Sequence, residues 1–195
     1  MKTNFFRMFP TTASITESFL TDKEVQILLQ KMKDVDFMDH TLISGDAESS
    51  HITDFDKKQH ILNSIKDTNL YNKIMQKLDE YTSSMGLFDV FITNSWFNIQ
   101  YPNSQLGIHN HPTSKVSAAL YLKVDEKSSN LIFHDAHPFA DFRERTEDNE
   151  FNFNMYSIKP SVGMLVLFPS WLKHSGSVNQ SKERIIISFN TDTKR

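Results

Sequence analysis

Phe88-Asp89-Val90-Phe91-Ile92-Thr93-Asn94-Ser95-Trp96-Phe97-Asn98-Ile99-Gln100-Tyr101 decides the fold. The stretch is rich in β-branched and aromatic residues, which suit a half-buried pleated surface. Its side chains alternate, with Trp96, Asn98 and Gln100 on one face and Phe97, Ile99 and Tyr101 on the other. Before Gly86 the apolar period is near four; after it the period is two. A helical half is therefore expected to give way to a β-rich half at this point.

Upstream, residues 1–20 read as an extended entry containing Phe5-Phe6-Arg7-Met8-Phe9-Pro10. Thr21-Asp22-Lys23-Glu24 is a capping box, with Thr at N-cap and Glu at N3. Val25, Leu28, Leu29 and Met32 follow at i, i+3, i+4 and i+7, which predicts a first amphipathic helix. From Asp36 to Phe55 the pattern dissolves into Ser, Asp, Gly and Thr and reads as an irregular loop. His40 and His51 lie there without matched partners and read as solvated or loop-packing residues. Lys57–Ser84 is a second helical zone, with Tyr71, Ile74, Leu78 and Tyr81 at helical spacing. Asp67-Thr68-Asn69 offers a cap inside it, so two helices are expected, stopped at Gly86 and covering one face of a sheet.

Downstream, Val116–Val124, Asn130–His134, Phe151–Ile158, Met164–Phe168 and Arg184–Phe189 are short strand candidates separated by turn signals. Lys159-Pro160-Ser161-Val162-Gly163 is one such signal. Six or more short strands after two helical zones indicate an antiparallel barrel or sandwich backed by helices. The expected organisation is one domain over 1–195, with a helical N-terminal half (1–86) packing on the sheet of 87–195. The interval Ala136–Glu150 mixes Phe139, Phe142, Arg143 and Arg145 with five acidic residues and has no period. It reads equally as a lid over a site and as a solvated excursion.

Bulk properties narrow the class. A chain of 195 residues, 38% hydrophobic and with 16 Phe, can bury a proper core. The net charge is −3 and the basic residues are scattered, which argues against a dedicated nucleic-acid surface. No cysteine is present, so disulfides, thiolate metal sites and a Cys nucleophile are all ruled out. The start Met1-Lys2-Thr3-Asn4-Phe5-Phe6 lacks a signal-peptide apolar region, and no apolar run is long enough to span a membrane. A cytoplasmic protein is expected.

Chemistry concentrates in Gly107-Ile108-His109-Asn110-His111-Pro112-Thr113-Ser114. In an extended segment His109 and His111 point the same way, and two converging imidazoles make half of a metal site. A third candidate, His174, follows the apolar stretch Met164–Pro169. Ten residues later comes Arg184-Ile185-Ile186-Ile187-Ser188-Phe189-Asn190. Arg184, Ile186, Ser188 and Asn190 share one face of this strand. An unpaired buried guanidinium is very costly, so Arg184 is explained either by a dianionic ligand bound bidentately or by an outward-facing ion pair.

Taken together, His109-x-His111, the distal His174, Arg184 ten residues later and Ser188 after it resemble the non-haem Fe(II), 2-oxoglutarate-dependent oxygenases. Several segments also resemble a branch of that superfamily found in marine bacteria and their phages: Trp96–Ile99, His109–Ser114, Ser117–Leu122, Leu131–Asp135, Gly163–His174 and Glu183–Asn190. The resemblance spans roughly residues 94–191. It implies a mainly β fold with helices, a double-stranded β-helix (jelly-roll) core backed by the N-terminal helices. It further implies that His109, His111 and His174 ligate Fe(II) and that Arg184, with Ser188, binds the distal carboxylate of 2-oxoglutarate. Tyr121 would be a second partner of that carboxylate, and Asn98 and Trp96 would line the pocket. The implied reaction consumes 2-oxoglutarate and O2 and hydroxylates an unknown substrate with release of succinate and CO2. No catalytic side chain beyond these ligands is implied.

One departure stands out. Most of the superfamily has a carboxylate where this sequence has His111. Asp135 is the alternative source of that carboxylate, while His134 and His137 read as residues around the pocket. Competing readings are a cupin-like metal-dependent dioxygenase, a non-catalytic jelly-roll binding or structural protein, and a zinc hydrolase. The cupin reading lacks its expected Glu after His111, the structural reading has no use for Arg184, and the hydrolase reading lacks a general base.

Overall fold

The capping box at Thr21 forms as its sequence predicts. The Glu24 amide donates to Thr21 Oγ1 (3.3 Å) and the Thr21 amide donates to Glu24 Oε2 (2.8 Å). Helix α1 (Asp22–Gln30) starts there and buries Val25 and Leu28. The second helical zone divides, as the internal cap requires. A 3-10 turn over Ile61–Ile65 precedes helix α2 (Asn69–Ser84), whose N-cap is Thr68, accepting from the Tyr71 amide at 3.3 Å. Leu70, Ile74, Leu78 and Tyr81 form its buried stripe. Gly86, at φ +70°, ends the helix in a backbone conformation that other residues adopt at a cost. The computed structural model describes residues 2–4, 10–51, 60–137, 147, 149 and 152–194.

Twelve strands are defined among the described residues. In the first half they are β1 (Ser14–Thr16), β2 (Met38–Asp39), β3 (Ile43–Ser44) and β4 (Ala47–Ser49). The second half supplies β5 (Val90–Gln100), β6 (Gln105–Leu106), β7 (Val116–Lys123) and β8 (Leu131–His134). It also supplies β9 (Met155–Ile158), β10 (Leu165–Pro169), β11 (His174–Gly176) and β12 (Arg184–Thr193). The major sheet runs β1-β10-β7-β12-β5-β4-β2, a smaller one runs β11-β8-β9, and β3 pairs with β6. Every pairing is antiparallel. This is the mainly β, helix-backed architecture that the change of period predicts, with the jelly-roll core that the resemblance implies.

Two expectations need correction. Asp36–Phe55 is not simply irregular, because β2 and β4 from this stretch extend the major sheet past β5. Strands of two or three residues leave too little alternation to be seen as a period. Likewise, the stretch before residue 87 contributes strands as well as helices. The lid reading for 136–150 falls mostly on residues outside the described ones, as does the Phe5–Phe9 part of the extended entry.

The major sheet has two cores, one on each face. On one face Phe97, Ile99, Leu120, Ile185, Ile187 and Phe189 pack with the buried residues of α1, α2 and the 3-10 turn. On the other, Tyr121, Phe133, Ile158, Val166, Phe168 and Ile186 form a smaller cluster between the two sheets. The turn before β10 depends on Gly163, at φ +79°. A Cβ there would lie 2.6 Å from the Leu20 carbonyl oxygen, so a larger residue would push this turn off the chain entering α1.

Candidate metal centre and its cavity

His109 and His111 lie between β6 and β7, and His174 is the first residue of β11. Backbone hydrogen bonds bring these separate segments together. The His109 amide donates to the His174 carbonyl (3.0 Å), the His174 amide donates to His109 (2.9 Å), and the His111 amide donates to Ser170 (2.8 Å). The segment carrying the two histidines is thus clamped against the turn between β10 and β11. One potential ligand atom from each of His109, His111 and His174 lies within 4.8 Å of the other two. Among the described residues, no other group of three or more His, Asp or Glu side chains converges in this way.

Second hydrogen bonds fix two of the rings. His109 Nδ1 lies 3.0 Å from the Gly107 carbonyl oxygen, and His174 Nδ1 lies 2.9 Å from that of Leu172. A carbonyl only accepts, so each Nδ1 must carry the hydrogen, which leaves the Nε2 lone pair for a ligand. Burial disfavours the charged imidazolium, and neighbouring histidines add to the effect. His174 is pushed down to about 3 and His111 to about 4; His109 moves the same way, its Gly107 hydrogen bond opposing. The three rings are therefore neutral donors across the physiological range, which is the state that binds a metal. Asp135 is not in the cluster; its Oδ1 accepts from the His137 amide at 2.8 Å. His134 Nε2 lies 2.9 Å from Ser175 Oγ, next in the chain to His174.

The histidines open onto a cavity of about 360 Å³, whose far wall is the inner face of β12, β5 and β7. Arg184, Ile186, Ser188 and Asn190 line it from β12, and Trp96, Asn98 and Gln100 line it from β5. Antiparallel register sets Arg184 opposite Gln100, Ile186 opposite Asn98 and Ser188 opposite Trp96. Tyr121 of β7 completes the Arg184 end and is fully buried. The guanidinium carbon sits 5.3 Å from the centre of the Tyr121 ring. Arg184 Nη1 donates to Gln100 Oε1 at 2.6 Å. No carboxylate pairs with Arg184 among the described residues, although its side chain is buried. Burial lowers its pKa, opposed by Tyr121, and raises that of the Tyr121 hydroxyl, opposed by Arg184.

The cavity wall between these two ends is polar. Asn98 Nδ2 donates to Ser188 Oγ (3.2 Å) and Ser49 Oγ donates to Asn98 Oδ1 (2.8 Å). Farther along, Ser117 Oγ donates to Asn190 Oδ1 at 2.7 Å. All the expected site residues thus face one cavity. His40 and His51 face it too, against their reading as loop residues. The His51 ring stands edge-on to Trp96 with centroids 4.6 Å apart, and His40 Nδ1 accepts the Leu42 amide at 3.1 Å. Neither residue belongs to a periodic segment, so nothing in the sequence ties them to the metal cluster. Gln100 did carry a signal, because it shares a strand face with Trp96 and Asn98.

A family model described as "Putative 2OG-Fe(II) oxygenase" matches residues 94–190, the span holding all three histidines and Arg184. Over this span the chain is similar to the 2OG-Fe(II) oxygenases. Solved structures share the fold. An oxidoreductase of the 2OG-Fe(II) oxygenase family from Burkholderia pseudomallei is 11% identical, with a TM-score of 0.67 over 92% of this chain and 85% of that one. HygX from Streptomyces hygroscopicus, solved with nickel and 2-oxoglutarate, is 10% identical, with a TM-score of 0.64 over 94% and 84%. The viral collagen prolyl hydroxylase of Paramecium Bursaria Chlorella virus-1, in its 2-oxoglutarate complex, is 16% identical, with a TM-score of 0.57 over 93% and 96%. At such identities the likeness speaks for the fold. No curated protein matches at the level of sequence.

Proposed function

We propose that His109, His111 and His174 hold the Fe(II) of this oxygenase and that Arg184 binds the distal carboxylate of 2-oxoglutarate. The observation that carries this reading is the shared cavity. Three neutral imidazoles face one end of it, and a buried arginine without a carboxylate partner faces the other. Iron holding a 2-oxo acid supplies the oxidising chemistry when O2 arrives. The balanced outcome is that 2-oxoglutarate, O2 and a C–H bond become succinate, CO2 and a C–OH group.

The residues around the metal have separate tasks. Gly107 and Leu172 carbonyls orient two of the rings through Nδ1–H. Arg184 and Tyr121 anchor the co-substrate tail, and Asn98 and Ser188 form the polar wall beside it. Trp96 and His51, packed edge to face next to His111, shape the wall on the metal side. With three neutral ligands the metal keeps its full positive charge until the co-substrate binds, which favours an anionic 2-oxo acid. We infer further that the chain works as a single unit, with hydroxylation as the outcome, in the cytoplasm of a bacterium or of its phage-infected host. Among the described residues no helix is long and apolar enough to cross a membrane.

Anaerobic titration tests the assignment. Protein loaded with Fe(II) should develop a weak visible charge-transfer band on adding 2-oxoglutarate. Arg184→Ala should raise the half-saturating concentration by at least about 10-fold, the loss of a charge-assisted pair. If iron binds but no band develops, or if Arg184→Ala titrates like wild type, the co-substrate assignment is wrong.

A further inference from the structure

Around Arg184 three buried polar atoms lack a hydrogen-bond partner: Arg184 Nε, Gln100 Nε2 and Tyr121 Oη. Each belongs to a side chain more than nine-tenths buried, and each residue lines the same cavity. A single such atom costs free energy, and three at one spot need a common explanation. All three carry hydrogens to donate, so what they await is an acceptor with several lone pairs.

Gln100 has a definite orientation. Arg184 Nη1 is a donor 2.6 Å away, so the amide must turn its oxygen toward the guanidinium. Its Nε2 then points away from Arg184 with both hydrogens and no partner. We infer that Gln100 is a further co-substrate-binding residue, holding the Arg184 guanidinium in place through Oε1 and donating to the ligand carboxylate through Nε2. Arg184, Gln100 and Tyr121 would then form one donor nest that selects a 2-oxo acid with a second carboxylate over one with an uncharged tail. The inference rests on the reading of Arg184 given above. Register explains why Gln100 can do this, since it is the residue directly across the strand pair from Arg184. A glutamine there orients the guanidinium without neutralising it, whereas a glutamate would form an internal salt bridge and occupy the charge meant for the ligand.

Two nearly isosteric variants, read by the anaerobic titration on Fe(II)-loaded protein, test this. In Gln100→Met the half-saturating 2-oxoglutarate concentration should rise about 10-fold or more, while that of 2-oxobutyrate, which lacks the distal carboxylate, stays put. The selectivity ratio should therefore fall by the same factor, a change that a merely structural role would not produce. Gln100→Glu should weaken 2-oxoglutarate by at least about 100-fold, with iron stoichiometry and melting temperature kept or raised. If Gln100→Met does not fold, Gln100→Glu alone decides. Variants that keep the wild-type selectivity ratio overturn the role of Gln100 and leave that of Arg184 standing. A wild-type protein that shows no preference for 2-oxoglutarate over 2-oxobutyrate overturns both.

Discussion

Strand β12 has two faces that do opposite work. Ile185, Ile187 and Phe189 lie against the helices, in a core where Ile187 and Phe189 are wholly shielded from solvent. One residue over in each case, Arg184, Ile186, Ser188 and Asn190 face the cavity. The apolar face is continued by Phe97 and Ile99 of β5, and the cavity face by Trp96, Asn98 and Gln100. Among the described residues, three of the four buried side-chain polar atoms without partners lie on the cavity face; the fourth, His60 Nε2, belongs to a ring whose Nδ1 is 2.8 Å from Ser95 Oγ. The period of two thus divides one strand pair into a face that stabilises and a face kept polar for ligands.

If that division is real, substitutions on the two faces should fail in different assays. The largest effect belongs to the metal cluster. His174→Ala removes a buried proposed ligand whose backbone also forms the bridge to His109, so stoichiometric iron binding should be lost, at least about 100-fold in affinity. Metal analysis after gel filtration checks it, and full iron retention would remove His174 from the site. On the opposite face, Phe97→Ala should cost about 3–5 kcal/mol of stability through lost burial and a residual cavity. Chemical denaturation reads that loss. Wherever the variant remains folded, its 2-oxoglutarate titration should match wild type within about threefold, because Phe97 belongs to the helix-side core and does not line the cavity. A parallel collapse of both quantities would mean that the sheet transmits strain and that the division is too simple.

How much of this was readable beforehand also divides along the two faces. Alternation in Phe88–Tyr101 and in Arg184–Asn190 assigned the faces correctly, because a long strand repeats its pattern enough times to be recognised. The capping box at Thr21 and the internal cap at Thr68 were legible for the same local reason. Register was not legible. Gln100 stood on the right face, but only its pairing with Arg184 gives it a task. His40 and His51 were misread as loop residues because their position comes from the short β2 and β4 strands folding over the cavity. Strands of two and three residues leave no periodic trace. Asp135 stood in the sequence as an alternative source of a carboxylate, yet the fold does not bring it into the group where the three histidines converge.

Acid should act mainly through the histidines of the cavity, with His60 beside Ser95 adding to it, and with the smallest of these effects. His40 and His111 are held down to about 4 and His174 to about 3, mainly by burial, against an ordinary value near 6.5. Between those values and 6.5 the unfolded chain binds more protons than the folded one, so stability of the metal-free protein must fall as the pH is lowered through that window. Above about pH 7 these groups contribute no slope. The loss should be on the order of 1–2 kcal/mol by pH 5, discounted because the rings border a solvent-reached cavity. Denaturation of metal-free protein at pH 7.5, 6 and 5 measures it. Phe97→Ala should lower all three values equally, since its packing does not titrate, whereas His174→Ala should flatten the slope. A slope untouched by His174→Ala would place the acid sensitivity outside the histidine cluster and refute the claim that burial, helped by the neighbouring histidines, keeps these imidazoles neutral and ready for a metal.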